Sequence, residues 1–390
     1  MPLDIARLRA ETPLTAHRIH FNNAGASPMP EPVWAAMLHH LELERTIGGY
    51  EAAAASADAL EDFYRAFADL LNGAPEEIAF VENATRAWDM AFYSLPLVEG
   101  DRILTHEAEY ASNYLALLQQ ARRRGCVVEV VPSDSTGQID VDALERSIDG
   151  RTKLIALTHV PTQGGLVNPA EAVGAVARRH GVTYLLDACQ SAGQMPLDVQ
   201  AIGCDFLSGT GRKFLRGPRG TGFLWVRREL VDRLEPPFVD LHSAEWTGPD
   251  SYRLSPDARR FENWESFVAG RIGLAAAARY ALWLGLDAIE RRVTDLAADL
   301  RSRLEALDGV TVHDRGARRC GIVTFRRRGE TAKALAARLR VLGINVSVSS
   351  AGSARLDLPA RGLDDLVRAS VHYFNTEEEV ARFAAAVAGD

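Results

Sequence analysis

Cysteine is scarce and scattered: the 390 residues hold only Cys126, Cys189, Cys204 and Cys320, with no Cys-x-x-Cys pair and no histidine at zinc-finger spacing. That excludes a disulfide framework or a structural zinc site, and reduced, mostly buried thiols are expected. Long apolar runs are missing too. The most apolar stretch, Gly273 to Leu286, carries Arg279 and falls short of the roughly 20 residues that a bilayer crossing needs, so no membrane span is expected. Basic charge is not in excess. Forty-four Lys and Arg stand against 52 Asp and Glu, a formal charge of −8, which disfavours a general polyanion binder. The triplets Arg122–Arg124 and Arg326–Arg328 are then solvated faces, and no nucleic-acid partner is expected. Met1-Pro2-Leu3-Asp4-Ile5-Ala6-Arg7 places an acid early with no apolar run behind it, unlike a secretory signal, so a cytoplasmic location is expected. His106-Glu107-Ala108-Glu109-Tyr110 lacks the second histidine of a zinc-protease helix, and no metal site is expected.

What is present is a globular composition, 47% apolar and 25% charged, with no internal repeat. From about residue 75 to 230, short β-branched runs alternate with helical patterns, the signature of βαβ units and a largely parallel sheet. Seven strands are predicted, at Glu77–Val81, Arg102–Thr105, Val127–Val131, Lys153–Thr158, Thr183–Leu186, Asp205–Leu207 and Gly222–Val226. Between them Ala84–Tyr93, Ala111–Arg124, Val141–Ser147 and Pro169–His180 read as helices, the last opening with Asn168-Pro169 as cap and first turn. Helices are also predicted at Glu31–Arg45 and Ala52–Leu71, before the sheet. Glu235 to Pro256 is rich in Pro, Asp, Ser and Gly and reads as a boundary or a long loop. Beyond it, long helices at Ser266–Leu284 and Leu286–Leu307 lead into a mixed pattern of short strands and helices, among them a strand near Asn345–Val348. The fold class is α/β, with a large domain over 17–250 and a smaller α+β domain made of 1–16 and 251–390.

One segment carries most of the chemistry. Ser208-Gly209-Thr210-Gly211-Arg212-Lys213, followed by Gly217-Pro218-Arg219-Gly220, sits between two predicted strands. A lysine among glycines, with a hydroxyl three residues earlier and an arginine beside it, can place an amine next to an anion held by hydroxyl, guanidinium and backbone N–H groups. A nucleoside-triphosphate loop needs Gly-Lys-[Ser/Thr], which Arg212 and Phe214 break. An imine-forming lysine and a plain basic surface turn both remain. Asp187 lies 26 residues earlier, where the apolar run Tyr184-Leu185-Leu186 ends, and the carboxyl end of a strand in such a sheet faces the ligand crevice. An acid there needs a partner or caps a following turn. A protonated pyridine nitrogen is one such partner, and an imine lysine with an Asp on that nitrogen is what pyridoxal phosphate requires.

Leu186-Asp187-Ala188-Cys189-Gln190, the Lys213 segment and Gly217-Pro218-Arg219-Gly220 resemble the cofactor motifs of the class V aminotransferase superfamily of fold type I pyridoxal-phosphate enzymes. Phe21-Asn22-Asn23-Ala24-Gly25, Val81-Glu82-Asn83-Ala84-Thr85, Arg260-Phe261-Glu262 and Val367-Arg368-Ala369-Ser370 extend the resemblance over nearly the whole chain. It implies a mostly parallel seven-stranded sheet in the large domain and a homodimer with its active sites at the interface. It also implies that Lys213 carries pyridoxal 5'-phosphate as an imine, Asp187 binds the ring nitrogen and Gln190 the ring hydroxyl. Thr210, Arg212 and the Ala84–Thr85 turn would hold the phosphate, and Tyr110 would stack on the ring where the family often has His. Thr162 stands where the family has an Asn beneath the ring. Arg368 would grip the carboxylate of an amino-acid substrate, with Asn23 and Ala24 in the adjoining turn.

Superfamily members include cysteine desulfurases, isopenicillin N epimerase-like proteins and C–S lyases of the hercynylcysteine sulfoxide lyase kind. Desulfurases carry a nucleophilic cysteine on a loop before the carboxylate arginine, whereas this chain reads Val346-Ser347-Val348-Ser349-Ser350-Ala351-Gly352-Ser353, with no cysteine after Cys320. Serine cannot hold a persulfide sulfur. The resemblance therefore favours C–S β-elimination from an S-substituted cysteine or its sulfoxide, giving pyruvate and ammonia. Transamination and epimerisation are the alternatives within the superfamily, and a non-catalytic ligand-binding module is the distant one.

Overall fold

The structure, a computed structural model, describes residues 3–389. Met1, Pro2 and Asp390, which the expected domain division includes, lie outside the described residues. A two-residue strand, β1 (Ile19–His20), precedes seven strands: β2 (Ile78–Val81), β3 (Arg102–His106), β4 (Val127–Val131), β5 (Thr152–Thr158), β6 (Thr183–Asp187), β7 (Phe206–Thr210) and β8 (Gly222–Val226). These seven form one sheet in the order β2-β8-β7-β6-β5-β3-β4, parallel except at β8, which runs against both neighbours.

Alternation of side chains decides why these runs are strands. Leu104, Ile155, Leu186, Leu207 and Trp225 point into one apolar cluster, and their neighbours Ile103, Leu154, Leu185, Phe206 and Leu224 point into another on the opposite face. Both faces are covered, as a parallel sheet requires. Helices Ala57–Leu71, Ala170–His180 and Val268–Leu284 close the first cluster; Ala84–Tyr93 and Ala111–Arg124 close the second.

The chain continues through a hairpin, β9 (Ala244–Gly248) with β10 (Ser251–Leu254), and then β11 (Val310–Val312), β12 (Ile322–Arg327), β13 (Ile344–Asn345), β14 (Ser347–Ser349) and β15 (Leu366–Ser370). A four-stranded antiparallel sheet, β11-β12-β15-β14, packs on helices Leu286–Glu305, Ala332–Val341 and Glu377–Ala388. Two stretches cross the expected division of the chain. β1 pairs in parallel with β13, and helix Val268–Leu284 packs in the first cluster of the large sheet.

Four local expectations change. Helix Ala52–Leu71 is two helices, Gly49–Ala55 and Ala57–Leu71, because Ser56 leaves helical geometry and its hydroxyl meets His40 Nδ1 at 3.0 Å. Asn168 does not cap a helix; its amide bridges the Ile139 N–H and the Thr158 carbonyl, and Pro169 precedes the first helical residue. The expected loop 235–256 contains the β9–β10 hairpin, whose largely exposed residues, Trp246 and Tyr252 among them, show no buried face for a periodic pattern to reveal. The single strand near Asn345–Val348 is split between two sheets at Val346. Among the described residues no single helix is long and apolar enough to cross a bilayer.

Candidate active site

The carboxyl ends of β3, β5, β6 and β7 open into one cavity of about 120 Å³. All nine residues expected to touch the cofactor line it: Ala84, Thr85, Tyr110, Thr162, Asp187, Gln190, Thr210, Arg212 and Lys213. Asn83, Asn113, Thr158, Val160 and Cys189, which the motifs did not single out, line it as well. Asn23, Ala24 and Arg368 are not in the lining; the Ala24 carbonyl reaches it through Gln190 and Arg368 through Thr162, whereas the Asn23 side chain bonds only His20, Ser27 and Ser370.

Lys213 is 7% exposed and Arg216 is 1% exposed, so the segment is not a solvated basic turn. Burial lowers the Lys213 pKa from the usual lysine value; Cys189 and Asp187 oppose the shift, and Arg212 and Arg368 add to it. A buried amine that loses its charge more readily is a better nucleophile and base. Its nitrogen lies 6.0 Å from the centre of the Tyr110 ring. Asp187 ends β6, and its two oxygens accept from the Cys189 N–H and from Asn113 Nδ2, each at 2.9 Å.

Another end of the cavity is built from N–H groups. Helix Ala84–Tyr93 starts there, with Asn83 as its cap accepting from the Arg86 N–H at 2.9 Å. The first-turn N–H groups of a helix have no partner within it and favour an anion. Gly222 permits this placement, since a Cβ on it would meet the Asn83 carbonyl carbon at 2.7 Å. Thr210 and Arg212 complete this end, and Arg212 Nη1 also donates to the Gly25 carbonyl.

Gln190 orients itself without ambiguity. Its Nε2 donates to the Ala24 carbonyl and to Thr162 Oγ1, each at 3.1 Å, so Oε1 is left buried with no partner among the described residues. Asn23 is fully engaged by its own turn: Nδ2 donates to the carbonyls of Ser370 and His20, and Oδ1 accepts from Ser27 Oγ. Its side chain keeps no free atom for a substrate. Arg368 donates through Nη1 to the Thr162 carbonyl at 3.0 Å and to its hydroxyl at 2.5 Å, while Nε is buried without a partner.

Arg216 was legible only as one more basic residue. It takes a left-handed backbone, φ +60°, on the turn after Lys213. Its guanidinium donates to the Pro28 carbonyl, the Tyr373 hydroxyl and Thr12 Oγ1, and it lies over the rings of Tyr373 and Phe374. His372 Nε2 donates to the Phe214 carbonyl at 2.9 Å. The lysine turn is thus tied to three distant segments, which justifies a strained residue beside the functional amine.

The model of the aminotransferase class-V family matches residues 19–383. The chain belongs to that family. A "Probable cysteine desulfurase" of Xylella fastidiosa strain 9a5c is 33% identical over 98% of this chain and 95% of its own length. Among solved structures, the apo cysteine desulfurase of Thermococcus onnurineus NA1 superposes with a TM-score of 0.93 at 30% identity, covering 100% of this chain and 98% of that one. The cystine C-S lyase C-DES, in complex with its reaction product cysteine persulfide, shares the fold, with a TM-score of 0.86 at 24% identity over 97% and 99% of the two chains.

As a class V aminotransferase family member the protein is a pyridoxal-phosphate-dependent enzyme of fold type I. The cavity fits that cofactor. The helix start with Thr210 and Arg212 suits a phosphate, the buried amine suits an aldehyde carbon, and the Asp187 carboxylate suits a protonated ring nitrogen. The orphaned Gln190 Oε1 calls for a ligand group close to it, and Tyr110 and Val160 offer surfaces for a flat ring.

Proposed function

We propose that the enzyme is a C–S β-lyase acting on a cysteine-derived amino acid: with one water, an S-substituted cysteine gives a thiol, pyruvate and ammonium. The observation that carries this reading is the state of the four thiols. Cys126, Cys204 and Cys320 are buried away from the cavity, and Cys189, inside it, is pushed far above the usual thiol pKa by burial and by Asp187. A thiolate ready to capture sulfur is therefore missing among the described residues, and the Ser347–Ser353 stretch has no cysteine. Sulfur then leaves with the departing group.

Pyridoxal phosphate, bound in the cavity, supplies an electron sink for the pair left at Cα. The chain's residues do the rest. Lys213 would hold the cofactor, and its amine, with a pKa lowered by burial, is the base that would take the Cα proton. Asp187, aimed into the cavity by the Cys189 N–H and Asn113 Nδ2, would hold the ring nitrogen. Arg368, its Nη1 braced on the cavity-lining Thr162, is the cation for the substrate carboxylate and so fixes the direction of the Cα–H bond. Ala84, Thr85, Thr210 and Arg212 would anchor the phosphate, and Tyr110 would cover the ring.

The family relation supports a homodimer as the active form. The deciding experiment incubates purified enzyme with cysteine, cystine, S-substituted cysteines and their sulfoxides, assaying pyruvate, keto acid, sulfide and enantiomer together. Stoichiometric pyruvate and ammonia without an acceptor keto acid is the expected result. An obligatory keto acid would make the enzyme an aminotransferase, and racemised substrate without pyruvate an epimerase. No turnover of any amino acid would leave the ligand-binding reading.

A further inference from the structure

We propose that Glu109 is a positioning residue: its carboxyl group holds Tyr110 through the main chain and Asp187 through Asn113, so that one side chain sets two walls of the cavity. The inference rests on the pyridoxal-phosphate reading of that cavity, and it adds a residue that lies outside its lining.

Glu109 is 5% exposed and sits in the loop between β3 and helix Ala111–Arg124. Its Oε1 accepts from the Tyr110 N–H at 2.7 Å, from Asn113 Nδ2 at 3.0 Å and from the Thr158 hydroxyl; its Oε2 accepts from Thr105 Oγ1 at 3.0 Å. Thr105 belongs to β3 and Thr158 ends β5, so the carboxyl group ties two strand ends to the helix start. No arginine or lysine forms a salt bridge with it among the described residues. Burial raises its pKa to about 7, and the nearby Asp187 adds to the rise against the Thr158, Tyr110 and Asn113 donors.

Asn113 is the link. It lies four residues past Glu109, is 3% exposed, and gives one hydrogen of the same amide nitrogen to Glu109 Oε1 and the other to Asp187 Oδ2 at 2.9 Å. Turning the amide over would aim its carbonyl oxygen at two acids. Glu109 therefore fixes which end of Asn113 faces Asp187, and thereby one of the two hydrogen bonds that aim Asp187 into the cavity. The Tyr110 N–H is also shared with Thr158 Oγ1 at 3.2 Å, and Glu109 is the nearer of the two acceptors that hold the residue whose ring stands beside Lys213.

The test uses the full-length protein, stripped and reloaded with pyridoxal phosphate, as parent, Glu109→Ala, Glu109→Gln and Asn113→Ala. Bound cofactor gives an induced circular-dichroism band whose strength per cofactor reports how rigidly the ring is held, and its absorbance against pH reports the ring's charged neighbours. Glu109→Ala is expected to halve that band or worse and to weaken cofactor affinity about tenfold, the size typical of groups that orient the residues touching a bound group. Glu109→Gln should restore both to within twofold, because its carbonyl accepts the same Tyr110 and Asn113 hydrogens. Asn113→Ala, which cuts only the Asp187 arm, should move the pH midpoint of the absorbance and leave affinity nearer the parent's. Parental band strength and affinity in Glu109→Ala overturn the proposal. Should Glu109→Ala fail to fold, an unmoved midpoint in Asn113→Ala overturns it instead. A parent that binds no pyridoxal phosphate defeats the cofactor reading itself, a result separate from any difference among variants.

Discussion

Arg368 leans on Thr162, donating from one nitrogen to both its carbonyl and its hydroxyl. The guanidinium has no carboxylate partner among the described residues and is 8% exposed, and burial followed by the nearby Arg212 lowers its pKa to about 10. A cation kept out of water without a counter-ion is costly to the empty protein. Thr162 also receives Gln190, so the arginine and the glutamine are braced on one hydroxyl.

Removal of that cation separates binding from stability. Arg368→Met should raise KM for an amino-acid substrate at least about tenfold and lower kcat as well, since a carboxylate left unheld misorients the Cα–H bond. The same variant without cofactor should melt no lower than the parent. A clear drop in Tm, with KM unchanged, would make Arg368 a structural residue.

Lys213 should carry the cofactor covalently. The purified protein is expected to show a visible absorption band that borohydride bleaches, with the reduced cofactor found on the Lys213 peptide. Lys213→Ala should lose covalent attachment while its circular dichroism in the far ultraviolet stays parental. A protein that remains colourless with added pyridoxal phosphate would falsify the cofactor assignment.

Much of this site was legible because its residues follow strand ends. Asp187 is conspicuous as an acid leaving an apolar run and Lys213 as a lysine among glycines, and those glycines and the helix start at Ala84 mark where the backbone approaches a ligand. The sheet was legible for a related reason: its central strands are buried on both faces, and short apolar runs such as Leu154–Leu157, Tyr184–Leu186 and Phe223–Val226 announce that. What escaped depends on contacts distant in sequence. Asn113 looks like any polar residue in a helix until β6 brings Asp187 against it. Arg216 reads as surface charge until Thr12, Pro28 and Tyr373 enclose it. The β9–β10 hairpin has no apolar face, so only its backbone pairing reveals it.

Cys189 separates a lyase from an enzyme that stores sulfur on a cysteine. Its thiol lines the cavity and is partly exposed, but desolvation there and the Asp187 charge push its pKa up, so iodoacetamide at pH 8 should label it far more slowly than a free thiol. Cys189→Ala should retain turnover within a few-fold. Rapid labelling together with loss of activity would assign Cys189 the sulfur and overturn the lyase reading.

A homodimer is expected to cover the outer face of helix Glu31–Ile47, where Trp34, Leu38 and Leu41 are 46%, 50% and 39% exposed at helical spacing. Leu38→Glu should shift the molecular mass measured by light scattering toward the monomer. A parent protein that is monomeric at micromolar concentration, with full activity, would remove the dimer from the account.

The cofactor-free protein should lose stability as Glu109 ionises. Its pKa rises from the ordinary glutamate value of 4.5 to about 7 in the folded chain, so between those values the native state holds a proton that the unfolded state has released. Stability from this group is complete below about pH 4.5 and is lost as pH rises through about 7, a loss of about 3 kcal/mol if the rise is full. The groups facing it are Thr105 from β3, Thr158 from β5, Asn113 and the Tyr110 N–H from the helix start, and Asp187 from β6; only Asp187 is an acid. Glu109→Gln has no proton to release, so urea denaturation of the apo variant should show a smaller fall in stability from pH 5 to pH 8 than the parent. Equal slopes in the two proteins would mean that Glu109 is already ionised at pH 5, its four donors outweighing its burial.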